Sequence, residues 1–436
     1  MMRRRIFPDY AYGSGPRQGC WWDDTIPAPV WPRLEGARRV DVAVIGGGFT
    51  GISTALHLAE AGLEVAVLEA ETPGWGASGR NGGFCCLGGA KLGTGAMTRF
   101  FGSRETQVYR AGEEAAVHLA DQLIARHGIE ADTHSDGETI MAHTAKARLA
   151  LQREAETEGG TFIDGPDLAD HGLNGRFHAA LTTPVGFALN PRKYLFGLAA
   201  AAQSAGATLY QNSAAQEVAQ DETGWHLTTP TGRLCAEKLV IATNGYSSEN
   251  IPQWLAGRYM PAQSTVMVTR PISTDEQAAQ GWSSAQMAYD TRHMLHYFRL
   301  MPDGRFLFGM RGGLTASPKA ESKIRALLRQ HFEDLFPSWR HVEATHMWSG
   351  MVCLSRNLVP FVGAVPAHPT LFAGLCYHGN GVAMGSYAGA LLADLVQGKQ
   401  PDAPYSKVMQ SLPKFPLGRA RRLLMPPAYA ALGLMD

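Results

Sequence analysis

The 436-residue sequence predicts an α/β domain interleaved with a second domain built on an antiparallel sheet. Three observations carry this. Between Val40 and Ala70 an apolar strand, a glycine turn, an apolar-periodic helix and a second strand follow one another, and a further apolar strand, Leu239 to Thr243, returns to that half of the chain. Long alternating strands at Gln263 to Arg270 and Leu295 to Arg311 then belong to a different sheet. A chain of this length exceeds what one core usually supports, so two domains are expected.

Taken in order, the elements begin with a basic start, Met1 to Arg5, read as a solvated tail because no apolar run of about 7 to 15 residues follows as a signal peptide requires. Residues 1–38, rich in Tyr, Trp, Gly and Pro, lack periodicity and read as an extended arm on the surface of the body. A helix over Thr50 to Ala61 follows the first strand, and a glycine-dense loop runs from Pro73 to Gly95. Helices are expected at Arg104 to His127, at Ala145 to Glu158 before Gly159-Gly160, and from Asn190-Pro191 to the stop at Gly206. Short strands follow at Ala207 to Gln211, Ala215 to Gln220 and Trp225 to Thr229. After the hairpin turned at Pro302-Asp303-Gly304 come a helix, Lys319 to Leu335, and strands at His346 to Val352 and Leu371 to Tyr377. A glycine turn and a helix from Val382 to Val396 close the fold. The expected domain parts are 39–110, 190–260 and 346–436 for the α/β domain, and 111–189 and 261–345 for the second domain.

Gly46, Gly48 and Gly51 fill a G-x-G-x-x-G frame between strand and helix. The first allows the tight turn, the second lets backbone approach a pyrophosphate, and the third lets the helix pack close to the strand. Phe49 and Thr50 open the helix, whose N-terminal amides favour phosphate. Glu69 and Ala70 close the second strand, placing an acid about 20 residues beyond the first glycine, where it can accept from a ribose hydroxyl. This is a Rossmann-like dinucleotide site.

Other classes are disfavoured. Lys plus Arg and Asp plus Glu both number 39, so no global field draws the chain to nucleic acid or an anionic membrane. The longest apolar candidate, Val359 to Tyr377, contains Pro360, Pro366, His368 and Pro369 and falls short of a span. A cytoplasmic protein acting on a small molecule is expected. The six cysteines show no metal-ligand spacing, so neither a metal nor a structural disulfide is expected. Cys85 and Cys86 read as small packing residues, with a redox pair as the alternative.

The strand ending Ala242-Thr243-Asn244-Gly245 resembles the one that flavoproteins of the two-dinucleotide type bring beside the first nucleotide loop. With antiparallel strands replacing further strand-helix repeats, it points to FAD rather than NAD. Gly74-Trp75-Gly76-Ala77-Ser78-Gly79-Arg80-Asn81-Gly82-Gly83-Phe84 resembles the loop along the flavin in the glycine oxidase, sarcosine oxidase and D-amino acid oxidase family, nearest to the gamma-glutamylputrescine oxidase-like enzymes. Tyr377-His378-Gly379-Asn380-Gly381-Val382-Ala383 resembles that family's closing turn, with Gly-Asn-Gly where Gly-His-Gly is usual. The resemblance implies an FAD-binding domain interleaved with a substrate domain of the D-amino acid oxidase type.

It also implies roles. Gly76, Ala77, Ser78, Arg80, Asn81, Gly82 and Gly83 would approach the flavin ring, with a surface salt bridge as the alternative for Arg80. Thr243, Asn244, Gly245, Gly379, Asn380, Gly381, Val382 and Ala383 would complete the cofactor site, the last helix aiming its positive end at the flavin. Val218 lies where the family pairs backbone with adenine, core packing being its alternative. Gly350 stands at or near the place where sarcosine oxidases bond flavin through cysteine, so FAD attachment is expected to be non-covalent, although Cys353 is three positions on. Tyr297, Arg299, Arg311, His378 and Trp348 are the candidate substrate-side residues: an arginine to clamp a carboxylate, His378 to touch substrate, Trp348 and Tyr297 as aromatic walls. His293 and His296 are weaker candidates. Each has a structural alternative as a sheet-surface or core side chain.

The reaction implied is oxidation of the C–N bond of an amine or amino acid, the imine then hydrolysing, with oxygen as acceptor and hydrogen peroxide as product. No lysine stands near Met310-Arg311, where sarcosine oxidases hold one that helps oxygen react, so a dehydrogenase passing electrons to a quinone or partner protein is the alternative. A mainly structural flavin-bearing subunit is a third reading.

Overall fold

The computed structural model describes residues 4–436. Its first sheet is built around Gly36–Ile45, which pairs in parallel with Val65–Leu68 on one side and Gly232–Ile241 on the other. Thr208–Tyr210 extends it beyond Val65–Leu68, and His368–Leu375 and Phe361–Val365 extend it beyond Gly232–Ile241. The central strands are buried on both faces, as a sheet covered by helices requires. Helix Phe49–Glu60 is buried nearly all round because helices Pro191–Ser204 and Ala383–Val396 pack against it.

The second sheet has eight strands, in the order Ala344–Leu354, Met260–Pro271, Arg305–Arg311, His296–Leu300, Met287–Asp290, Glu138–Met141, Ala179–Thr183 and Thr161–Asp164. The expected hairpin is present, with Tyr297 opposite Gly309. Period-two alternation divides its faces. Phe298, Phe306 and Phe308 pack into an aromatic core with Trp282, Phe332, Phe336 and Trp339, covered by helix Pro318–Leu335. Tyr297 and Val266 face the other way, toward the first domain.

Helix Ala145–Glu158 has its expected bounds, capped by Thr144, and helices Ser103–Arg126, Pro191–Ser204 and Pro318–Leu335 lie within about a residue or two of theirs. Several expectations need correction. The N-terminal arm packs on the body more deeply than a surface arm need: Phe7, Tyr12, Trp22 and Trp31 are buried, and Arg17 donates to the carbonyls of Gly74 and Trp75 at 3.2 and 3.1 Å. Its aromatic residues fill grooves in the body, which requires no periodicity. Residues 1–3 lie outside the described residues, while Arg4 bonds Ser248 and Arg5 stacks on Tyr12, so this part of the start is not a free tail. Residues 346–354, assigned to the α/β domain, continue Ala344–Leu354 in the second sheet, paired to Met260–Pro271. Short strands within 111–189 join that sheet too; at four or five residues they give too little alternation to read. Helix Thr94–Phe101 and strand Phe361–Val365 were likewise not expected.

Candidate active site

The glycine turn sits at the end of Gly36–Ile45, beneath a long cleft lined by Gly46, Gly48, Phe49 and Thr50. Gly51 does not line it. A Cβ there would lie 1.9 Å from the Gly46 carbonyl oxygen, so Gly51 lets the helix close on the turn. The helix has no side-chain cap from Gly48; Ser78 takes the Phe49 amide, and the next amides of the first turn are left for a ligand. At one end of the cleft stand Glu69 and Ala70. Glu69 accepts from the Gly47 and Glu71 amides at 2.8 and 3.1 Å, and burial raises its pKa against the lowering effect of those bonds. Ala215 lines this end; Val218 does not, but pairs with Leu227 and packs at the edge of the core.

Toward the other end the cleft is lined by Gly76, Ala77, Ser78 and Asn81, by Thr243 and Asn244, and by Gly379, Gly381 and Val382. Ser78 Oγ accepts from the Phe49 amide at 3.0 Å, and the hydroxyls of Thr50 and Tyr377 are 2.8 Å apart, so turn, loop and C-terminal segment are tied together. Helix Ala383–Val396 begins here without a side-chain cap. Gly83, Gly245 and Ala383 stand behind the wall: the Gly83 carbonyl accepts from the Leu189 amide, and Gly245 packs on Val352.

Arg80 is 2% exposed, which excludes the surface salt bridge. Its Nε donates to the Trp75 carbonyl at 2.8 Å and Nη1 to that of Ser349 at 3.2 Å; the rings of Trp75 and Tyr246 lie 5.4 and 5.6 Å away. Nη2 and the Tyr246 hydroxyl are buried without partners. Orphaned donors in a cavity wall are unusual unless a ligand satisfies them.

A second cavity shares Ala77, Asn81, Met351, Gly379 and Val382 with the cleft, so the two adjoin. Arg80, Gly82, Asn380, Tyr297 and Arg311 line it, together with Phe84, Ser264 and Tyr289. Tyr297 Oη is 2.9 Å from Ser264 Oγ, and burial raises its pKa. Among the described residues the Arg311 guanidinium makes no hydrogen bond or ion pair; burial lowers its pKa. Lys91, absent from the sequence-based candidates, also lines this cavity. The charge of Arg311, then burial, pulls its pKa down to about 7. Lys91 is an exposed residue that also lines the cavity. It is the one charged residue in residues 81–98, a signal the sequence did carry.

Three substrate-side candidates lie outside both cavities. Arg299 is buried, donating through Nη2 to the Leu189 carbonyl at 2.8 Å and meeting His134 Nε2 at 3.0 Å; burial lowers its pKa to about 9. His378 donates from Nδ1 to the Gly89 carbonyl at 2.7 Å and accepts the Ser355 amide at Nε2 at 3.1 Å, and burial holds its pKa down at about 3. It is a satisfied core histidine. Trp348, fully buried, donates to the Arg80 carbonyl at 2.7 Å. His296 is turned to the back of the sheet, bonded to Asp290 and His331. Cys85 is core packing, but Cys86 lines the second cavity, its thiol pKa raised by burial.

Can FAD fit? The residues present suit it: an uncapped helix behind a glycine turn, an acid at the ribose end, orphaned Arg80 and Tyr246 donors, and a second uncapped helix at the far end. Such a cleft beside a second cavity lined by cationic and aromatic groups fits a dinucleotide-dependent oxidoreductase. The chain matches the model of the family described as FAD dependent oxidoreductase over residues 41–395, and it belongs to that family. It is 31% identical to the probable oxidoreductase OrdL of Rhizobium meliloti, over 95% of this chain and 97% of that protein. It is 29% identical to the gamma-glutamylputrescine oxidoreductase of Escherichia coli, over 92% of each. The fold is shared with glycine oxidase from Geobacillus kaustophilus, with a TM-score of 0.68 and 23% identity over 84% of this chain and 98% of that one. L-proline dehydrogenase from P. horikoshii, at a TM-score of 0.68 and 17% identity over 86% and 96%, shares it too. The protein is thus an FAD-dependent oxidoreductase. Among the described residues no helix is long and apolar enough to cross a membrane.

Proposed function

We propose that the protein oxidises the carbon–nitrogen bond of a small carboxylate-bearing amine or amino acid, with oxygen as electron acceptor and hydrogen peroxide as product. The observation that carries this reading is the Arg311 guanidinium, partnerless among the described residues, in a cavity that adjoins the dinucleotide cleft. A guanidinium so placed is built for a planar anion, which it holds bidentately. Glycine oxidase of Geobacillus kaustophilus, 25% identical over 85% of this chain, supports both the amine chemistry and the acceptor.

In this reading Gly46, Gly48, Phe49 and Thr50 hold the pyrophosphate, Glu69 the ribose, and Arg80, Asn81, Gly381 and Val382 the flavin, without a covalent bond. FAD supplies the acceptor for the hydride on the carbon beside nitrogen. The chain's own residues do the rest. Arg311 fixes the carboxylate, Tyr297 and Ser264 offer hydroxyls to the amine, and Phe84, Val266 and Met351 exclude water and narrow the orientations open to the reacting carbon. With FAD bound, the helix beginning at Ala383 would direct its partial positive charge at the cofactor and favour its reduced, more negative form.

The test is anaerobic mixing of the FAD-loaded protein with a panel of amines and amino acids, followed by oxygen. Bleaching by a carboxylated amine and rapid reoxidation with peroxide are expected. Bleaching without reoxidation by oxygen would assign the acceptor to another molecule; no bleaching by any amine would end the proposal.

A further inference from the structure

Lys91 and Arg311 reach one cavity from different elements. Arg311 ends strand Arg305–Arg311, whereas Lys91 rides on the loop before helix Thr94–Phe101, anchored by its amide to the Leu358 carbonyl at 2.8 Å. Among the described residues neither cationic head has a hydrogen bond or an ion pair. The acid nearest to hand does not offset them. Glu138 is buried on the adjacent strand behind Tyr289, whose hydroxyl is 3.4 Å from its Oε1, and burial lifts its pKa to about 8, so it is uncharged at neutral pH. Of the other titratable groups lining the cavity, Tyr289, Tyr297 and Cys86 are held in their neutral forms by burial, and Arg80 adds a third cationic group.

Cationic groups therefore face one space with nothing negative among them, and the nearby charge of Arg311 disfavours the protonated form of Lys91. Their repulsion is unfavourable; loss of the Lys91 proton relieves it, and so does an entering anion, which keeps Lys91 charged. A single carboxylate satisfies Arg311 and leaves Lys91 facing a cation. A substrate of net positive charge is repelled by both.

We propose that the substrate carries two carboxylates besides its amine, Arg311 taking one through its planar fork and Lys91 the other as a point charge. This rests on the oxidase reading above and narrows it from carboxylated amines to aminodicarboxylates. Lys91 is then a specificity-determining residue.

The experiment uses the FAD-loaded protein and two readouts. The first is binding, followed as a change in the flavin absorbance on titration with malonate, succinate and glutarate, and with propionate and butyrate. At least one dicarboxylate is expected to bind about 30-fold or more tightly than the monocarboxylates, the scale of one desolvated charge pair. Lys91→Met should abolish that selectivity and Lys91→Arg should keep part of it. The second readout compares kcat/KM for aspartate and N-methylaspartate with alanine and N-methylalanine. Equal binding of the two acid classes by the unaltered protein overturns the proposal without recourse to any variant, as does a Lys91→Met variant that retains the selectivity. Lys91-dependent dicarboxylate binding with no reduction by any amine would uphold the anion pair and defeat the oxidase reading instead.

Discussion

Trp348 Nε1 donates to the Arg80 carbonyl at 2.7 Å, so a strand of the second sheet holds the loop that lies along the far end of the dinucleotide cleft. Arg80 returns the contact, with Nη1 on the Ser349 carbonyl. Trp348→Phe keeps most of the buried ring and leaves that carbonyl unpaired, at a cost of about 1–3 kcal/mol. Weaker FAD retention is the expected result, seen as a lower affinity in titration of the apoprotein with FAD. Unchanged affinity would show that the loop keeps its shape without the tryptophan.

Gly51→Ala is expected to deplete FAD and lower the melting temperature, because its Cβ would meet the Gly46 carbonyl oxygen at 1.9 Å and only a backbone shift could relieve it. Gly95→Ala is the control. That glycine, inside helix Thr94–Phe101, has open space around it, and alanine there is worth up to about 1 kcal/mol. The flavin-to-protein absorbance ratio of the two purified variants checks both halves.

FAD is expected to leave on acid or heat denaturation with no remnant on the peptide. Gly350, without a thiol, lines the second cavity against Arg80, and the thiol in that lining is that of Cys86, its pKa raised by burial. Cys353 lines the cleft instead, with its Sγ 3.5 Å from that of buried Cys376. Mass spectrometry of the peptides carrying Cys353 and Cys376 decides the matter; a flavin adduct on either would refute non-covalent attachment.

Stability should fall on acidification from about pH 6.5 toward pH 4. His378 and His134 are held neutral by burial, their pKa values pushed down to about 3 and 4. The unfolded chain takes up a proton at each near pH 6.5, while the fold does not until much lower, so the unfolded state gains as pH falls through this window. Buried His378 accounts for on the order of 4 kcal/mol when the window is fully crossed. Urea midpoints between pH 7.5 and 4 measure it. His378→Asn should be less stable at neutral pH but show a flatter slope, and an unaltered slope would mean that His378 is not the titrating group.

How far the sequence reached is visible in these same residues. The turn at Gly46 to Gly51 and the acid at Glu69 were legible because a phosphate site is made of consecutive backbone, and local spacing records it. The strand hairpin was legible too, from alternation alone. Which face of a strand meets the cavity was not. Tyr297 and Arg299 share a face by parity, yet Tyr297 reaches the cavity and Arg299 is capped by Leu189 and His134 from other elements. His378 is adjacent to a lining glycine and still points into the core. Lys91 and Arg311 are brought together only by the packing of a loop on a distant strand, which no periodicity encodes.

The two arginines provide the sharpest separation of site from scaffold. Arg311→Met removes a guanidinium without a partner in the described protein, so it should fold normally and lose about 100-fold in kcat/KM for a carboxylated amine, with a much smaller loss for the decarboxylated analogue. Arg299→Met removes a buried donor from the Leu189 carbonyl and His134, and should instead cost about 1–3 kcal/mol of stability. Because Gly83 lies under the Arg299 guanidinium, FAD loss should accompany that destabilisation, but the ratio of activities on the two amines should stay that of the unaltered protein. Melting curves and the two kcat/KM values for each variant separate the effects. A changed ratio in Arg299→Met together with an unchanged one in Arg311→Met would exchange the roles assigned to them.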